Sequence, residues 1–357
     1  MPDRFDAPLL AALAAIAPGR PLRAGVDRIL QANKGALVVV GDGPAVLELC
    51  SGGFLIDAEF TPQRLSELAK LDGAIILAAD ATRIARANVH LMPDPALPTS
   101  ETGTRHRTAE RVARAVDVPV VAVSEDMGVI TLYRGGIKHP LMSIPRVLGR
   151  ANQALQTLER YRDRLGTVTT ELSALEVEDL VTVRDVVTVL QRAEMVRRIA
   201  EEIDGYIVEL GADGRLVHLQ LEELMAGVED DRYQMVRDYL PYAAPEAVED
   251  VLRALAAAPD ASLLDVKAVA GLLHLAPRGM DVDAGVQPRG FRLLAKLPRL
   301  PDAVAAKLVA SFGTLQKLLA ATVADLDVID GVSKTTARQV KEGLSRLAET
   351  SILDRYS

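Results

Sequence analysis

The spacing of apolar residues changes once along this chain, near residue 145, and the parts on either side of the change predict different architectures. Before it, short β-branched runs bounded by glycine alternate with helical patterns, which is typical of an α/β domain. After it, apolar residues recur every three or four positions between charged faces, which indicates a helical module. The 357 residues are enough for two or three domains of roughly 100 to 200 residues each.

The first part predicts an α/β sandwich with a mixed central sheet. The predicted strands are GALVVVG (35–41), AVLELC (45–50), GAIILAA (73–79), VPVVAV (118–123) and GVITLYRGG (128–136). A helix is predicted over TPQRLSELAK (61–70), because Thr61 is a good cap and Pro62 suits the first helical turn.

The second part predicts helices over ANQALQTLERYRDRL (151–165) and VVTVLQRAEMVRRIAEEI (186–203). Its sequence contains no cluster of catalytic residue types, so we interpret it as a spacer or an assembly module. Residues 276–290 are rich in Gly, Pro and Asp and have no periodicity, which indicates a linker. We therefore predict an α/β domain over residues 1–146, an all-α linker domain over 147–285 and a C-terminal domain over 286–357.

Charge is distributed unevenly between these parts. From residue 286 to the end, eleven Lys and Arg residues stand against seven acidic residues, a net charge of +4, whereas the whole chain carries −8. The remainder therefore carries −12. A basic tail on an acidic body is typical of a protein in which one segment binds a polyanion.

The sequence does not predict secretion or a membrane span. The apolar run LLAALAAIA (9–17) follows MPDRFD, which has no net positive charge, and no small-residue cleavage pattern comes after it. No stretch approaches the roughly 20 apolar residues that a bilayer requires. Cys50 is the only cysteine, which excludes an internal disulfide framework and favours a reducing cytoplasm. We therefore expect a cytoplasmic protein that binds no membrane.

The segment VIDGVSKTTARQVKEGL (328–344) resembles a helix-hairpin-helix element. In such an element, a glycine turn and the start of the second helix let backbone N–H groups approach a phosphate. Gly331 and Ser333 would make that approach, and Lys334 and Arg338 would add positive charge. Upstream, LLAKLPRLPDAVAAKLVASFG (293–313) has proline in place of the turn glycine. It is either a weaker partner element or a plain helical hairpin that packs against the first.

Such contacts follow the geometry of the nucleic-acid backbone and do not read bases. The chain contains no tryptophan and the tail few aromatic residues, which disfavours a stacking platform for single-stranded bases. We therefore expect binding to duplex or branched DNA without sequence preference. With about three phosphates contacted, log affinity should fall with log salt at a slope of roughly −3.

The segment GTRHRT (103–108) raises an electrostatic question. Apolar residues recur at helical spacing in AERVARAV (109–116), so a helix is predicted to begin around Arg105, with Thr104 as its cap. Arg105 and Arg107 then lie in the first turn, where the helix dipole is already positive. Two guanidinium groups there cost stability unless an anion joins them.

Two further motifs place polar residues at strand ends. Asp72-Gly73-Ala74 stands at the start of the predicted strand GAIILAA, and Ser124-Glu125 follows VPVVAV. Strand ends and helix starts are where α/β proteins hold ligands. An Asp-Gly dipeptide alone is more often a turn than a catalytic motif, so its significance depends on the combination with GTRHRT.

The combination of DGA (72–74), GTRHRTAER (103–111) and a hydrophobic strand that ends in SE resembles the diadenylate cyclase family. The helical segment and the basic hairpin tail that follow are similar in order to members of the family that bind DNA. The resemblance implies condensation of two ATP molecules into cyclic di-AMP with release of two pyrophosphates, dependent on Mg²⁺ or Mn²⁺. The anion at the first helical turn would then be a triphosphate.

The resemblance also implies roles for individual residues. The predicted catalytic residues are Asp72, Arg105, His106 and Arg107, and the predicted metal ligands are Asp72 and Glu125. The predicted ATP-binding residues are Gly73, Ala74, Leu91, Thr104, Arg105, His106, Arg107, Thr108 and Ser124.

Several of these roles have alternatives. Asp72 either binds the metal or accepts the proton of the ribose 3′-OH. His106 either donates a proton toward pyrophosphate or orients the loop. Leu91 either lines the adenine pocket or belongs to the core, and Glu110 could neutralise the arginines in a surface ion pair.

A cyclic product made from two identical halves requires two copies of the site that face each other across a two-fold axis. A monomer should therefore be inactive, and the resemblance implies a homo-octamer with its DNA-binding tails directed outward. Two other functions stay open. One is a DNA-binding scaffold whose site senses ATP without turnover, and the other is a nucleotidyltransferase that uses a different acceptor.

Overall fold

The computed structural model describes residues 7–125, 127–241, 244–275 and 281–356. The chain forms two compact units. The first comprises Met1–Ala154 and Glu202–Gln220, and the second comprises Leu155–Glu201 and Leu221–Ser357. The domain borders predicted after residues 146 and 285 stay predictions.

The first unit consists of one mixed sheet with helices on both faces. Its elements are α1 (Ala7–Ile16), α2 (Pro21–Gln31), β1 (Ala36–Val40), α3 (Pro44–Glu48), β2 (Cys50–Ser51), β3 (Phe54–Glu59), α4 (Pro62–Leu68), β4 (Ala74–Leu77), β5 (Arg83–Leu91), α5 (Thr104–Val116), β6 (Val120–Val123), β7 (Ile130–Arg134) and β8 (Ile137–Pro140). Parts of three further helices also belong to it, namely α6 (Ile144–Glu178), α7 (Val183–Leu210) and α8 (Arg215–Met225).

The strands of the sheet follow the order β2-β5-β4-β1-β6-β7-β8, and β3 also pairs with β5. β1 and β4 are parallel and their other neighbours are antiparallel, so the prediction of a mixed sheet is confirmed. Leu37 of β1 pairs with Ala74 of β4, and Ala36 pairs with Val123 of β6. The start of β1, the start of β4 and the end of β6 therefore meet at one end of the sheet.

Each face of the sheet carries its own apolar core, because successive side chains of a strand point to opposite faces. On one face, Val38 and Val40 belong to the core that α1, α2 and α4 form with the sheet. On the other face, Leu37 and Val39 pack with the apolar side of α5. All five residues of β1 are buried as a result, which explains why its sequence is uniformly apolar.

The sequence predicts most central elements of this unit correctly. β1, β4, β6 and β7 lie within predicted strands, and α4 begins as predicted, with the hydroxyl of Thr61 accepting a hydrogen bond from the Arg64 amide at 3.1 Å. The strand predicted over residues 45–50 is wrong. Pro44 begins the short helix α3 there, because proline suits the first helical position, and only Cys50–Ser51 pair as a strand.

β3, β5 and β8 extend the sheet beyond the predicted strands. β5, with the sequence RIARANVHL, carries charged side chains among its apolar residues and lacks the continuous apolar run of the central strands. Its register against β4 shifts between Ala74 and Leu77, next to Asn88, whose φ of 58° is left-handed. The irregularity lies beside the start of β4 and shapes the turn that precedes it.

The first two helices pack on the sheet. Leu9, Leu13 and Ile16 of α1 and Ile29 of α2 are 1% exposed and belong to one core. Among the described residues, no single helix is long and apolar enough to cross a membrane. Within these described ranges, only α1 and α2 taken together reach the length and apolar composition of a membrane span, and the chain bends by 65° between them.

The second unit is helical. Besides the greater parts of α6 and α7, it contains α9 (Val228–Tyr239), α10 (Pro245–Ala257), α11 (Asp260–Leu264), α12 (Val266–Leu272), α13 (Phe291–Ala295), α14 (Asp302–Phe312), α15 (Leu315–Ala320), α16 (Val323–Asp327) and α17 (Lys334–Tyr356). The helices predicted over residues 151–165 and 186–203 lie within α6 and α7 and are confirmed.

The predicted linker over 276–290 is only partly visible, since residues 276–280 lie outside the described residues. The described part, residues 281–290, runs alongside the start of α7. There the Val183 amide donates to the carbonyl of Ala284 at 3.0 Å. Residues 281–290 are therefore held by backbone hydrogen bonds and do not form a free connection.

Buried charged groups join α6, α9 and α13 within the second unit. The Asp238 carboxylate accepts hydrogen bonds from the amides of Gly290 and Phe291 at 2.6 and 2.9 Å. The Arg292 guanidinium pairs with Glu176 of α6. Burial raises the pKa of Asp238 to about 6. Because removal of one partner would leave a buried charge uncompensated, these contacts fix the start of the C-terminal helices on α6 and α9.

Candidate functional site

One end of the sheet collects most of the predicted site residues. Asp72 and Gly73 immediately precede β4, Gly35 precedes β1, and Ser124 follows β6. The register of β1 with β4 and β6 makes these three points neighbours. Leu91 is the last residue of β5 and lies at the same end of the sheet, two residues after Val89, which pairs with Ala74 at the start of β4. The structure therefore brings together the DGA and SE motifs, as the sequence predicts.

The DGA turn can hold only glycine at its centre. Gly73 has a φ of +91°, and a Cβ atom there would lie 2.8 Å from the carbonyl oxygen of Val89. The Asn88 side-chain amide donates to the backbone carbonyl of Asp72 at 2.6 Å, which fixes the turn against β5. The Asp72 residue is exposed, and within the described part of the chain its carboxylate has no hydrogen bond or ion pair. The turn thus presents a free carboxylate at a fixed position.

The helix α5 begins one residue earlier than predicted. Gly103 is the N-cap and Thr104 is the first helical residue, so the prediction that Thr104 caps the helix is wrong. Gly103 adopts the extended backbone that a cap requires, and no side chain caps it. The Thr108 hydroxyl donates to the Thr104 carbonyl at 2.9 Å. The first N–H groups of α5 lack intrahelical partners and are available to an anion.

The Arg105 side chain reaches back to the start of β1. A Cβ atom on Gly35 would overlap Cζ and Nη1 of Arg105 and lie 2.8 Å from its Nη2. The guanidinium therefore covers Gly35, at the end of the sheet where the DGA turn also lies. No carboxylate within the described ranges pairs with it, so none of the described residues compensates its charge.

Arg107 has a different environment. Its Nη2 donates to the carbonyl of Thr102 at 3.0 Å, and its Nε donates to the carbonyl of Glu101 at 3.4 Å. These bonds hold the loop before α5 but do not neutralise the guanidinium. The residue is exposed, which leaves its remaining donors for a ligand.

Glu110 does not neutralise either arginine of the first turn. Its carboxylate accepts hydrogen bonds from the Thr99 hydroxyl at 2.7 Å and the Ser100 amide at 2.9 Å, and it pairs with Arg114 one turn further along α5. Burial opposes its ionisation, but these hydrogen bonds outweigh burial and lower the pKa of Glu110. The alternative of a surface ion pair with Arg105 and Arg107 is therefore wrong.

His106 contacts residues that the sequence motifs do not include. Its Nδ1 lies 2.9 Å from the Tyr133 hydroxyl, and that hydroxyl donates to Oε1 of Glu101 at 2.6 Å. Lys138 pairs with the same oxygen at 2.5 Å. Sequence reasoning missed Tyr133, although one signal was present, because a tyrosine inside the buried strand ITLYR needs a partner for its hydroxyl.

The remaining predicted residues divide between surface and core. The Ser124 hydroxyl accepts a hydrogen bond from the Met127 amide at 3.3 Å, and the Glu125 carboxylate lies 3.6 Å from Nζ of Lys34. Ala74 is 1% exposed and Leu91 6%, and both belong to the core beneath α5. Their contact with a nucleotide stays a prediction, and the burial of Leu91 supports its alternative role as a core residue.

The predicted metal ligands provide suitable donor atoms. Mg²⁺ and Mn²⁺ prefer carboxylate oxygens, and Mg²⁺ in phosphoryl-transfer sites is held by one or two carboxylates together with substrate phosphates. Asp72 and Glu125 both have exposed carboxylates at the same sheet end, beside β4 and β6, the two strands that flank β1. Across the described ranges, no group of three or more His, Cys, Asp or Glu residues is arranged to hold a metal ion. The residues therefore fit a metal that is shared with a polyphosphate.

A second candidate site lies between α16 and α17. Gly331 has a φ of +85°, and Ser333 accepts a hydrogen bond from the Thr336 amide at 3.1 Å, which begins α17. Lys334 and Arg338 are exposed on the first turns of α17. These are the four residues predicted to approach DNA, and they lie on one turn and one helix start.

The structure adds an ion pair to this turn. Lys307 of α14 donates to the backbone carbonyl of Asp330 at 3.0 Å and to its carboxylate at 2.7 Å. A Cβ atom on Gly331 would lie 3.2 Å from Nζ of this lysine. The sequence does not reveal this contact, because Lys307 belongs to the upstream hairpin.

Not every basic residue of the tail contributes to its surface. Arg292 is 5% exposed and pairs with Glu176, and Arg289 donates to the carbonyls of Arg237 and Leu240, each at 2.7 Å. The net charge counted along the sequence therefore overstates the positive charge available to a polyanion.

The mixed sheet, the arginine-bearing helix start and the acidic turn beside it define the class of protein. Residues 23–138 match the family model described as DisA bacterial checkpoint controller nucleotide-binding. Residues 141–279 match the model described as DisA bacterial checkpoint controller linker region. The chain thus joins a diadenylate-cyclase-type nucleotide-binding domain to a helical linker region.

Curated relatives extend this match over almost the whole chain. The DNA integrity scanning protein DisA of Frankia alni is 57% identical over 347 residues, which cover 97% of each chain. The protein of the same name from Acidothermus cellulolyticus is 57% identical over 362 residues, covering 99% of this chain and 98% of the relative. The chain belongs to the DisA family, and its resemblance to diadenylate cyclases is confirmed.

Among solved structures, a double mutant of DacA from Staphylococcus aureus is similar to part of the chain. The identity is 24%, and the alignment covers 38% of this chain and 86% of that chain. Its TM-score is 0.30.

Proposed function

We propose that this protein condenses two ATP molecules into cyclic di-AMP and two pyrophosphates, and that its C-terminal helices bind DNA. The observation that carries the cyclase proposal is the meeting of three features at one end of the sheet: the Asp72–Gly73 turn, the Arg105 guanidinium, which no described carboxylate pairs with, and the Ser124–Glu125 segment. Membership of the DisA family supports the same function.

The start of α5 is suited to a triphosphate. Arg105 and Arg107 each carry a planar fork of donors that can hold two phosphate oxygens. The unpaired N–H groups of the first turn add further donors, and the helix dipole adds positive potential. In this proposal His106, Thr104 and Thr108 complete the first turns around the phosphates, while Gly73 allows the nucleotide to approach the backbone.

Asp72 is the residue closest to the chemistry in this proposal. When bound, Mg²⁺ or Mn²⁺ would neutralise phosphate charge and activate the ribose 3′-OH. Asp72 and Glu125 would hold it together with the phosphates.

Two copies of the site must face each other for a cyclic product to form. An isologous interface presents the same groups to both nucleotides, and it places each 3′-OH near the α-phosphate of the other. Phe54 and Leu55 are 61% and 71% exposed, and Phe54 pairs with Ala87, next to the residue that fixes the DGA turn. This apolar surface beside the site supports subunit contact there, within the homo-octamer that we propose.

One assay tests the proposal against its alternatives. The full-length protein is supplied with ATP and Mn²⁺, and pyrophosphate and cyclic dinucleotide are quantified together. We expect two pyrophosphates for each cyclic di-AMP. A scaffold that only senses ATP yields neither product, and a transferase with another acceptor yields pyrophosphate without the cyclic compound, so either result contradicts the proposal.

The proposed DNA contact is the turn between α16 and α17. Its Gly331 backbone, the start of α17 and the side chains of Lys334 and Arg338 can approach phosphates of duplex or branched DNA without reading bases. Lys307 supports this turn by pairing with Asp330, so its own charge is compensated. In the cell, this arrangement would couple the cyclase to DNA integrity, in a cytoplasmic protein associated with the nucleoid.

We expect Lys334→Glu to weaken DNA binding about tenfold, because one phosphate contact is lost and a repulsive charge is added. The slope of log affinity against log salt should become shallower by about one. Fluorescence anisotropy with a branched DNA over a salt series measures both quantities. Lys267→Glu, an exposed lysine of α12 outside the C-terminal tail, is the matched charge control. Unchanged affinity in Lys334→Glu would move the DNA contact elsewhere, and basal cyclase activity should not change in either variant.

A further inference from the structure

A chain of hydrogen bonds links the first turn of α5 to the sheet. It runs from Nδ1 of His106 to the Tyr133 hydroxyl at 2.9 Å and from that hydroxyl to Oε1 of Glu101 at 2.6 Å. Lys138 pairs with the same carboxylate at 2.5 Å. Tyr133 is 0% exposed, so its hydroxyl depends on these protein partners.

The partners determine where each proton lies. A carboxylate only accepts, and the single proton of the Tyr133 hydroxyl is donated to Glu101. The next bond must then take its proton from His106, with Nδ1–H donating to the tyrosine oxygen. In a neutral ring, which carries a single N–H, Nε2 of His106 is then left without a proton, and it is buried with no partner within the described part of the chain.

The ionisation of the three groups agrees with this assignment. Burial lowers the pKa of His106 despite the opposing charge of Glu101, which favours a neutral ring. Burial and the hydrogen bond to Glu101 raise the pKa of Tyr133, so the phenol keeps its proton. Burial opposes ionisation of Glu101, but hydrogen bonds from Lys138 and Tyr133 outweigh it and lower its pKa.

We infer that Tyr133 and Glu101 are positioning residues that hold His106 as the neutral Nδ1–H tautomer and thereby fix the phosphate-binding turn of α5. This inference rests on the proposed cyclase function. Glu101 acts on the turn twice, since its backbone carbonyl also accepts a hydrogen bond from Nε of Arg107. A neutral ring without a proton on Nε2 is no general acid, so His106 orients the turn and does not protonate pyrophosphate.

The test measures the tautomer and the activity separately. Full-length protein labelled with ¹⁵N in its five histidines is studied by solid-state NMR, and the His106 signals are assigned by their loss in His106→Gln. In the wild type we expect a proton on Nδ1 and none on Nε2. In Tyr133→Phe the acceptor is gone, so the Nε2–H tautomer should appear, and kcat/KM for cyclic di-AMP formation should fall about tenfold.

Two variants control this comparison. Glu101→Gln keeps the shape of the chain but lets the amide donate to Tyr133, so the direction of the bonds can reverse and both tautomers should appear. If Tyr133→Phe does not fold, because the position is fully buried, Glu101→Gln alone still tests the inference. Tyr161→Phe, on α6 in the other unit, should retain the wild-type tautomer and rate.

The outcomes separate the inference from the cyclase proposal. A proton on Nε2 in the wild type would overturn the inference, as would folded Tyr133→Phe and Glu101→Gln variants with wild-type tautomer and kcat/KM. If the wild type forms no cyclic di-AMP, the proposed function fails and the positioning role fails with it, while the spectrum still establishes which nitrogen is protonated.

Discussion

Asp72→Asn should lower the rate of cyclic di-AMP formation by about 10³-fold or more, because the amide is a poor metal ligand and no proton acceptor. The exposed carboxylate has no partner among the described residues whose loss would disturb the fold. The thermal midpoint and the DNA affinity should therefore stay at wild-type values. Rates are measured from pyrophosphate and cyclic dinucleotide over a series of Mn²⁺ concentrations.

The metal series distinguishes the two roles of Asp72. If Asp72 is mainly a ligand, excess Mn²⁺ should restore part of the activity of Asp72→Asn. If it is mainly the base, excess metal should not. Asp27→Asn is the control, since this aspartate is paired with Arg23 on α2, on the opposite face of the sheet from α5. A wild-type rate in Asp72→Asn would remove this residue from the chemistry.

Arg105→Ala should reduce kcat/KM by roughly 10² to 10³-fold, as expected for a charged donor that stabilises a transferring phosphoryl group. Gly35→Ala should reproduce much of this loss without touching a charged residue. The added methyl group would occupy the space of the Arg105 guanidinium and force it to move. Because a flexible side-chain end can shift at small cost, the fold should be retained in both variants.

The matched control for this prediction lies at the other end of β1. Gly43→Ala adds the same methyl group where no atom lies within 4 Å, so its activity should remain at the wild-type level. Titration of ATP binding and single-turnover rates separate lost affinity from lost chemistry. An active Gly35→Ala variant with normal kcat/KM would mean that the position of Arg105 over the start of β1 is unimportant.

The part of the fold that follows local pattern could be predicted from the sequence. The buried central strands have continuous apolar runs, and the cap at Thr61 has a local signature. The strand prediction over residues 45–50 was wrong because an apolar run of only five or six residues is compatible with either a strand or a helix. Pro44, which suits the first helical turn, favours the helix. β5 was not predicted at all, because its charged residues interrupt the apolar pattern that identifies the central strands.

The candidate site likewise contains residues that local motifs identify and contacts that only the fold reveals. The motifs around Asp72, Arg105 and Ser124 are short segments whose residues could be identified directly, and the strand register brings them together. The contacts that set their geometry are distant in sequence. Tyr133 lies 27 residues from His106 and 32 from Glu101, and no local pattern links them. Such partners become evident only when the fold supplies the distances.

The most direct test of a polyphosphate at the start of α5 is a crystal structure with 3′-deoxy-ATP and Mn²⁺, because the missing hydroxyl prevents the reaction and preserves the bound pair. We predict triphosphate oxygens within hydrogen-bonding distance of Arg105, Arg107 and the first amides of α5, with a second nucleotide facing the first across a two-fold axis. A structure in which Arg105 still covers Gly35 and Arg107 still bonds only the loop carbonyls, with no nucleotide between subunits, would contradict the cyclase account.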